Sequence, residues 1–292
     1  MEGLEYWGNI NILKGGIIYS DAITTVSPTY AREVLTPSMG MGLEGVLEKR
    51  KEKLRGVLNG IDYSIWDPLK DRELSANYGP NDMSGKMTCK KALIRESGLD
   101  GEIVDRPVVA MISRFDNQKG LDLVIEILDE AIDLGIGIVM LGEGNAAMER
   151  TLREKEKTKR GRMSVTTGFH ESLAHRIMGG ADMFLIPSRY EPCGLTQMYA
   201  LKYGAVPVVR STGGLDDTIV DFKGNKELGN GFKFKEYSSE TFLRAIKRAV
   251  ESYYRPSDWR QVVLNGMSAD FSWNRSASSY MDLFRELMAS LA

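Results

Sequence analysis

The stretch FLIPSRYEPCGLTQMYAL, from Phe184 to Leu201, joins an apolar run, a polar loop and a helical pattern. The apolar run predicts a buried parallel strand that ends at Pro187, which has no N–H for a ladder hydrogen bond. The backbone N–H groups at the start of the following helix then favour an anion at the carboxyl edge of a sheet. Glu191 on the loop is not adjacent to a basic residue and suits hydrogen bonds from sugar hydroxyls. The alternative interpretation is a loop carboxylate in solvent.

A second loop, RFDNQKG, carries two cations five residues apart, Arg114 and Lys119, ahead of a helical pattern. Arginine offers a planar fork of donors and lysine a point charge, and the pair suits a diphosphate. Surface cations on a solvated loop are an equally open alternative.

Three glycine-containing loops also follow strand patterns. The segment GEGNAA from Gly142 to Ala147 resembles a dinucleotide fingerprint, but no acidic residue follows at the ribose position. Close packing of strand on helix explains its glycines equally well, so an NAD-dependent oxidoreductase has little support. Gly168 and Phe169 suit the binding of a nucleobase, the glycine through its backbone edge and the phenylalanine through its flat ring. Core packing is the alternative. The paired glycines Gly213 and Gly214 let backbone N–H groups approach a phosphate or sugar, unless they form a plain tight turn.

Metal and disulfide chemistry have little support in the sequence. His170 and His175 lie five residues apart, a rotation of roughly 500° along a helix, so they face different sides. Cys89 and Cys193 are far apart and give neither a disulfide framework nor metal-ligand spacing. We therefore expect no metal, and Cys193 is interpreted as a small buried thiol rather than a nucleophile.

The elements that position these loops alternate between strand and helix. Strands are predicted at Val108–Ser113, Ile136–Leu141, Met163–Thr167, Met183–Ile186 and Ala205–Val209, with helices between them. This alternation predicts an α/β fold with a doubly wound parallel sheet and right-handed crossovers. Ligands bind outside the carboxyl ends of such strands, where all of these loops lie. Residues 1–20 are expected to be helical, followed by a strand up to Ser27, which caps a helix beginning at Pro28.

Chain length, net charge and the length of apolar runs limit the class of protein. The 292 residues suggest one large or two ordinary domains, and the net charge of −2 argues against a nucleic-acid partner. The first residues match neither a signal nor a transit peptide, and no apolar run approaches the roughly 20 residues of a membrane span. We expect a cytoplasmic protein that does not bind membranes.

Together these motifs resemble the bacterial-type glycogen/starch synthases, retaining glucosyltransferases of the GT-B fold and of glycosyltransferase family 5. The matching segments are Asn11–Ile17, Thr25–Ala31, Asn59–Asp62, Arg114 with Gln118–Gly120, Pro187–Gln197, Ser211–Leu215 and Phe271–Trp273. The resemblance implies two Rossmann-like domains with an active site in the cleft between them. It implies transfer of glucose from ADP-glucose or UDP-glucose to the non-reducing end of an α-1,4-glucan, without a metal or other cofactor.

The resemblance also implies roles for individual residues. Arg114 and Lys119 would neutralise the diphosphate and the charge that grows on it as it leaves, and Glu191 would lie against the donor. The remaining donor-binding positions would be Asn59 near the hinge and sugar, Gly168 and Phe169 at the base, Gly194, Leu195 and Thr196 at the phosphates, and Thr212, Gly213 and Gly214 closing the pocket. Tyr199 stands where related transferases often have a second glutamate.

The domain organisation implied by the family has four parts. Residues 1–54 would be the end of the N-terminal domain, 55–64 the interdomain hinge, 65–273 the nucleotide-sugar domain and 274–292 a helix that crosses back. Most of the N-terminal domain would lie outside this chain, so residues 1–54 would expose an apolar face that needs cover. A separate N-terminal synthase half is therefore a candidate partner. The alternative function is a module that binds a nucleotide sugar without catalysing transfer.

Overall fold

The computed structural model describes residues 3–223 and 225–291. The N-terminal part contains β1 (Glu5–Tyr6), β2 (Asn9–Ile10), α1 (Ile12–Tyr19), β3 (Ile23–Thr25), α2 (Pro28–Glu33), α3 (Glu44–Glu48) and β4 (Leu54–Gly56). The middle contains α4 (Ser84–Glu96), β5 (Val108–Ile112), α5 (Leu121–Asp133), β6 (Gly137–Gly142), α6 (Ala146–Thr158), β7 (Met163–Thr167) and α7 (Glu171–Gly180). The last part contains β8 (Met183–Ile186), α8 (Thr196–Lys202), β9 (Val206–Arg210), α9 (Gly213–Thr218), β10 (Phe232–Phe234), α10 (Ser239–Tyr253), α11 (Pro256–Ser268) and α12 (Trp273–Leu291).

The prediction that residues 1–20 are helical is wrong for residues 3–11, while residues 1 and 2 lie outside the described part of the chain. Strands β1 and β2 form an antiparallel hairpin in which Tyr6 pairs with Asn9. The two turn residues between them, Trp7 and Gly8, have φ of 52° and 79°. A two-residue turn with both φ values positive matches the twist of a hairpin, and the glycine makes it accessible. The helical prediction is confirmed from Ile12 onward.

A six-stranded, all-parallel sheet forms the centre of the fold, in the order β10-β9-β8-β5-β6-β7. The strand order reverses direction between the neighbours β5 and β8, which is the doubly wound arrangement predicted from the sequence. Strand β10 was not predicted, because a three-residue segment carries too little pattern. It joins the edge of the sheet with Phe232 opposite Val208.

Both faces of this sheet are covered, so its inner strands β5, β6, β8 and β9 are apolar over most of their length. In β5, Val109 and Met111 belong to one core cluster, while Val108 and Ala110 belong to the other. Successive side chains of a strand point to opposite faces, so each strand contributes to both layers. Burying each such side chain contributes about 1.5–3 kcal/mol, which holds the strand ends, and hence the loops, in fixed positions.

The N-terminal part ends in a short parallel pair of strands, separate from the main sheet, and the predicted hinge leads on from it. Strand β3 pairs with β4, so residue 55, the first of the predicted hinge, is itself part of a strand. Farther on, Ile61 N donates to Phe271 O at 2.8 Å. A Cβ at Gly60 would lie 2.4 Å from Trp273 N, so only glycine allows this approach. The four-part domain division stays a prediction.

Candidate functional site

Two loops meet at the carboxyl ends of β5 and β8, the two strands at which the sheet order reverses. Arg189 N donates to Gln118 O at 2.8 Å, which ties one loop to the other. Gly120 adopts φ of 75°, and a Cβ there would lie 2.1 Å from Pro187 O. The loops therefore pack backbone against backbone at the point where α/β sheets bind ligands.

An ion pair joins these loops. Lys119 Nζ lies 2.6 Å from Glu191 Oε2, and Ser188 Oγ donates to the same oxygen at 3.0 Å. Glu191 is only 7% exposed, so the interpretation of a loop carboxylate in solvent is wrong. Its partner comes from a loop 72 positions earlier and is not Arg189, the nearest basic residue in sequence, which pairs with Asp122 instead. Asp116 Oδ1 accepts from Lys119 N at 2.9 Å and fixes the backbone of the lysine.

A cavity of about 90 Å³ opens beside this ion pair. Lys119, Glu191 and the predicted residues Gly194, Leu195 and Thr196 line it. Water takes up about 30 Å³ per molecule, so the enclosed part has room for a group of phosphate size. The structure thus brings two of the three predicted catalytic side chains and the predicted phosphate-binding turn to one place.

Sequence reasoning missed Gln197, which lines the same cavity. Its Nε2 donates to Cys193 O and Gly194 O, both at 3.0 Å, so it holds the loop in its bent form. Its buried Oε1 has no hydrogen-bond partner among the described residues. Gln197 lies four positions before the buried Leu201 and so shares its helix face; a polar residue on an apolar face was the available signal.

A second cavity, of about 250 Å³, adjoins the first, since Ile112 and Ser113 line both. Arg114, Gly168 and Phe169 also line it. Phe169 is 83% exposed, so the alternative of core packing is wrong. The structure therefore places three of the residues expected at the base and the diphosphate around one opening.

Arg114 extends from the rim of this second cavity. Its Nη2 donates to Gln118 Oε1 at 2.8 Å, and its Nη1 lies 3.2 Å from Asp116 Oδ2. The side chain is largely exposed, so these contacts orient the guanidinium without burying it. A solvated cation at this rim can reorient toward a phosphate at low cost, because exposed ion pairs contribute little to stability.

The structure does not bring Thr212, Gly213 and Gly214 to the lining of either cavity. They lie behind the Glu191 loop, where Gly214 N donates to Glu191 O at 3.1 Å. A Cβ at Gly214 would lie 1.9 Å from Cys193 O, so the paired glycines allow close backbone contact. Their role in closing the donor pocket stays a prediction.

Asn59 also lies against the back of this loop. Burial raises the pKa of the Cys193 thiol, and the neighbouring backbone of Asn59 partly offsets that rise. Cys193 is buried, in agreement with the structural interpretation of this residue. Asn59 thus connects the predicted hinge to the loop of Glu191, and its contact with a sugar stays a prediction.

The remaining sequence motifs have structural explanations. A Cβ at Gly142 would lie 1.8 Å from Ser113 O, and Asn145 caps α6, so the GEGNAA segment serves close packing. His175 is buried with its Nδ1 2.7 Å from Asp71 Oδ2 and its ring stacked on Trp66. Within residues 3–223 and 225–291, no three His, Cys, Asp or Glu side chains gather as a metal site.

None of the helices in the described parts of the chain is both long and apolar enough to cross a bilayer.

Two solved structures of synthases superpose on this chain. The catalytic domain of starch synthase IV from Arabidopsis thaliana, bound to ADP and acarbose, superposes with a TM-score of 0.89 and is 37% identical, covering 95% of this chain and 58% of that one. Sucrose-phosphate synthase from Thermosynechococcus elongatus gives a TM-score of 0.65 at 18% identity, covering 98% of this chain and 64% of that one, and shows the fold alone.

Sequence relatives point the same way. A glycogen synthase of Anaeromyxobacter sp. strain Fw109-5 is 50% identical over 99% of this chain, and one of Thermotoga maritima is 44% identical over all of it. The chain spans 60% of the length of each. The family model for the starch synthase catalytic domain matches residues 1–49, and the model for glycosyl transferases group 1 matches residues 99–262, more than half of the chain. The resemblance to the bacterial-type glycogen/starch synthases is thereby confirmed, and the chain belongs to the glycosyl transferases group 1 family.

Proposed function

We propose that this chain is the nucleotide-sugar half of a glucan synthase. The complete enzyme would transfer glucose from ADP-glucose or UDP-glucose to the non-reducing end of an α-1,4-glucan, with retention of configuration. The observation that carries the proposal is the pairing of Lys119 with Glu191 at the reversal point of the sheet, beside a cavity for a phosphate-sized group. The starch synthase IV that superposes on the chain holds ADP and acarbose, which supports a nucleotide and a glucan-like sugar as ligands.

The proposed chemistry depends on positive charge at the diphosphate. As the nucleoside diphosphate leaves, negative charge grows on its terminal phosphate, and preorganised cations stabilise that charge. The Lys119 ammonium has three donors, so it can hold a phosphate oxygen while one donor stays on Glu191. Arg114 would supply the second cation, and the backbone amides at residues 194–196 would add neutral donors.

Glu191 is proposed to orient the sugar. Both described contacts of its carboxylate fall on Oε2, so Oε1 would accept a hydrogen bond from a donor hydroxyl. Gly168 and Phe169 would bind the base in the adjoining cavity, with the exposed ring available for stacking. Asn59 and the turn from Thr212 to Gly214 would support this pocket from behind.

The partner and domain organisation are also part of the proposal. Large apolar side chains of the N-terminal part are exposed, among them Trp7, Ile12 and Leu13. Helix α12 exposes Met281, Phe284 and Met288 at helical spacing. These faces would be covered by an N-terminal synthase domain, either in the same protein or as a separate half. Residues 1–54, 55–64, 65–273 and 274–292 would then be the end of that domain, the hinge, the donor domain and the returning helix.

Both cysteines are free thiols, which is consistent with the reducing cytoplasm as the compartment.

The experiment is a transfer assay with radiolabelled ADP-glucose and glycogen, using the chain alone and mixed with an N-terminal synthase half. The same assay with UDP-glucose identifies the donor. Transfer in the mixture supports the synthase. Binding of ADP without transfer in either mixture supports the alternative, a non-catalytic binding module. If ADP does not bind at all, both are refuted.

A further inference from the structure

Helices α2 and α9 each provide one carboxylate that accepts hydrogen bonds at the start of the other helix. Asp217 on α9 accepts hydrogen bonds at the start of α2, from Ser27 Oγ at 2.5 Å, Thr29 N at 2.9 Å and Thr29 Oγ1 at 2.6 Å. Ser27 is fully buried by this contact. The carboxylate satisfies donors that a helix start leaves without intrahelical partners, so it anchors α2 on the donor domain.

The second carboxylate belongs to α2 and accepts hydrogen bonds at the start of α9. Glu33, the last residue of α2, accepts from Gly213 N at 3.0 Å and from Thr212 Oγ1 at 3.1 Å through its Oε1. Thr212 is buried, so its hydroxyl has little access to water in place of this carboxylate. Hydrogen bonds to an ionised acceptor are stronger than neutral ones, which makes this contact directional as well as attractive.

The turn that Glu33 holds is the turn on which the Glu191 loop rests. Gly214 N donates to Glu191 O and to Pro192 O, both at 3.1 Å. A Cβ at Gly213 would lie 2.1 Å from Glu191 O, so the two backbones are in direct contact. A displacement of this turn would therefore displace the backbone of Glu191, which pairs with Lys119 in the cavity.

We propose that Glu33 is a positioning residue of the donor site, acting through Thr212 and Gly213 on the backbone of Glu191. The inference rests on the proposed function, because it assigns Glu33 to the same donor site. It gives the N-terminal part of the chain a direct influence on donor binding, although Glu33 lines neither cavity. Asp217 contributes indirectly, because it keeps α2 in the place from which Glu33 reaches the turn.

The test compares Glu33→Ala with Glu48→Ala in this chain. Glu48 has the same charge and lies in the same N-terminal part, but it is exposed and pairs with Lys51. ADP affinity is measured by calorimetry, and backbone hydrogen exchange is measured at Gly213 N, which donates to Glu33, and at Gly214 N, which donates to Glu191 O. We expect Glu33→Ala to weaken ADP binding about 3- to 10-fold and to speed exchange at both places, with Glu48→Ala unchanged.

A double-mutant cycle with Thr212→Val separates positioning from a general loss of stability. If Glu33 acts through this turn, the two substitutions weaken ADP binding less together than the product of their separate effects. Additive effects, or unchanged exchange at Gly214 N in Glu33→Ala, would overturn the inference. Glu33→Gln keeps an acceptor for Gly213 N and should restore most of the exchange protection, even if Glu33→Ala folds poorly. If the unmodified chain fails to bind ADP, the proposed donor site is refuted, and the exchange measurement alone decides whether Glu33 holds the loop.

Discussion

Replacing Lys119 with alanine should weaken ADP binding strongly. A hydrogen bond to a charged group contributes about 1.5–3 kcal/mol, so the loss of the ammonium corresponds to a roughly 10- to 150-fold higher Kd. Two observations support this range. The ammonium lies in a site where its side chain is only 22% exposed, which limits screening by solvent, and Glu191 holds it beside the cavity before ligand arrives. The second observation means that little ordering entropy has to be lost on binding.

Because of the same ion pair, we expect Glu191→Gln to change the affinity for ADP in the opposite direction. The carboxylate repels a diphosphate, and two unit charges 4 Å apart interact by about 1 kcal/mol in bulk water and by about 4 kcal/mol near a protein surface. Removing the charge should therefore tighten ADP binding at least about fivefold, while glucose transfer in the mixture with an N-terminal half falls. If Glu191 serves only to hold Lys119, the amide should instead weaken ADP binding.

Calorimetric titration with ADP is the assay, at low and high salt, with thermal unfolding measured in parallel. Lys119→Ala leaves Glu191 without its cation, so we expect the free energy of unfolding to fall by about 1–3 kcal/mol. Titrations must therefore be made well below the melting temperature of the variant. Lys51→Ala, which removes an exposed lysine far along the chain, is the control and should leave Kd unchanged. An unaltered Kd for a folded Lys119→Ala would refute the assignment of the diphosphate site.

Three further changes have defined outcomes. Phe169→Ala should weaken ADP binding by about 1–3 kcal/mol, the range for stacking of a base on an aromatic ring, with inorganic pyrophosphate binding unchanged; an equal loss for both ligands would contradict a base-specific role. Asp71→Ala should lower the free energy of unfolding by about 3 kcal/mol in urea denaturation, because it removes the acceptor of the buried Tyr203 hydroxyl and His175 ring; a loss under 1 kcal/mol would contradict this. Burial lowers the pKa of Lys86 from 10.5 to about 8, so between these values the unfolded chain binds more protons and stability rises with pH. Lys86→Met should flatten that rise, measured by urea denaturation at both ends of the window, and an unchanged pH slope would be evidence against it.

Most of the fold was predictable because its elements carry repeated patterns. Met163–Thr167 was predicted with the bounds that the structure gives, and Ser27 and Pro28 predicted the start of α2 by their capping and φ preferences. Sequence patterns did not predict β10 or the hairpin of β1 and β2, whose strands are only two or three residues long. Strand β10 has three residues, and the hairpin at the start depends on two positive φ values that an apolar composition does not reveal.

In the candidate site, too, some features were predictable from local sequence and others were not. The sequence by itself determined that cations, glycines and one glutamate follow strands of a parallel sheet, and that their order resembles a glycosyltransferase family. The reason is that strand ends, turns and helix starts depend on residues next to one another in the chain. Only the tertiary structure decided that Lys119 is the partner of Glu191, that Gln197 lines the cavity, and that Glu33 accepts hydrogen bonds from Thr212 and Gly213. These contacts join residues from 72 to 180 positions apart, and packing of the sheet, not any local preference, sets which of them meet.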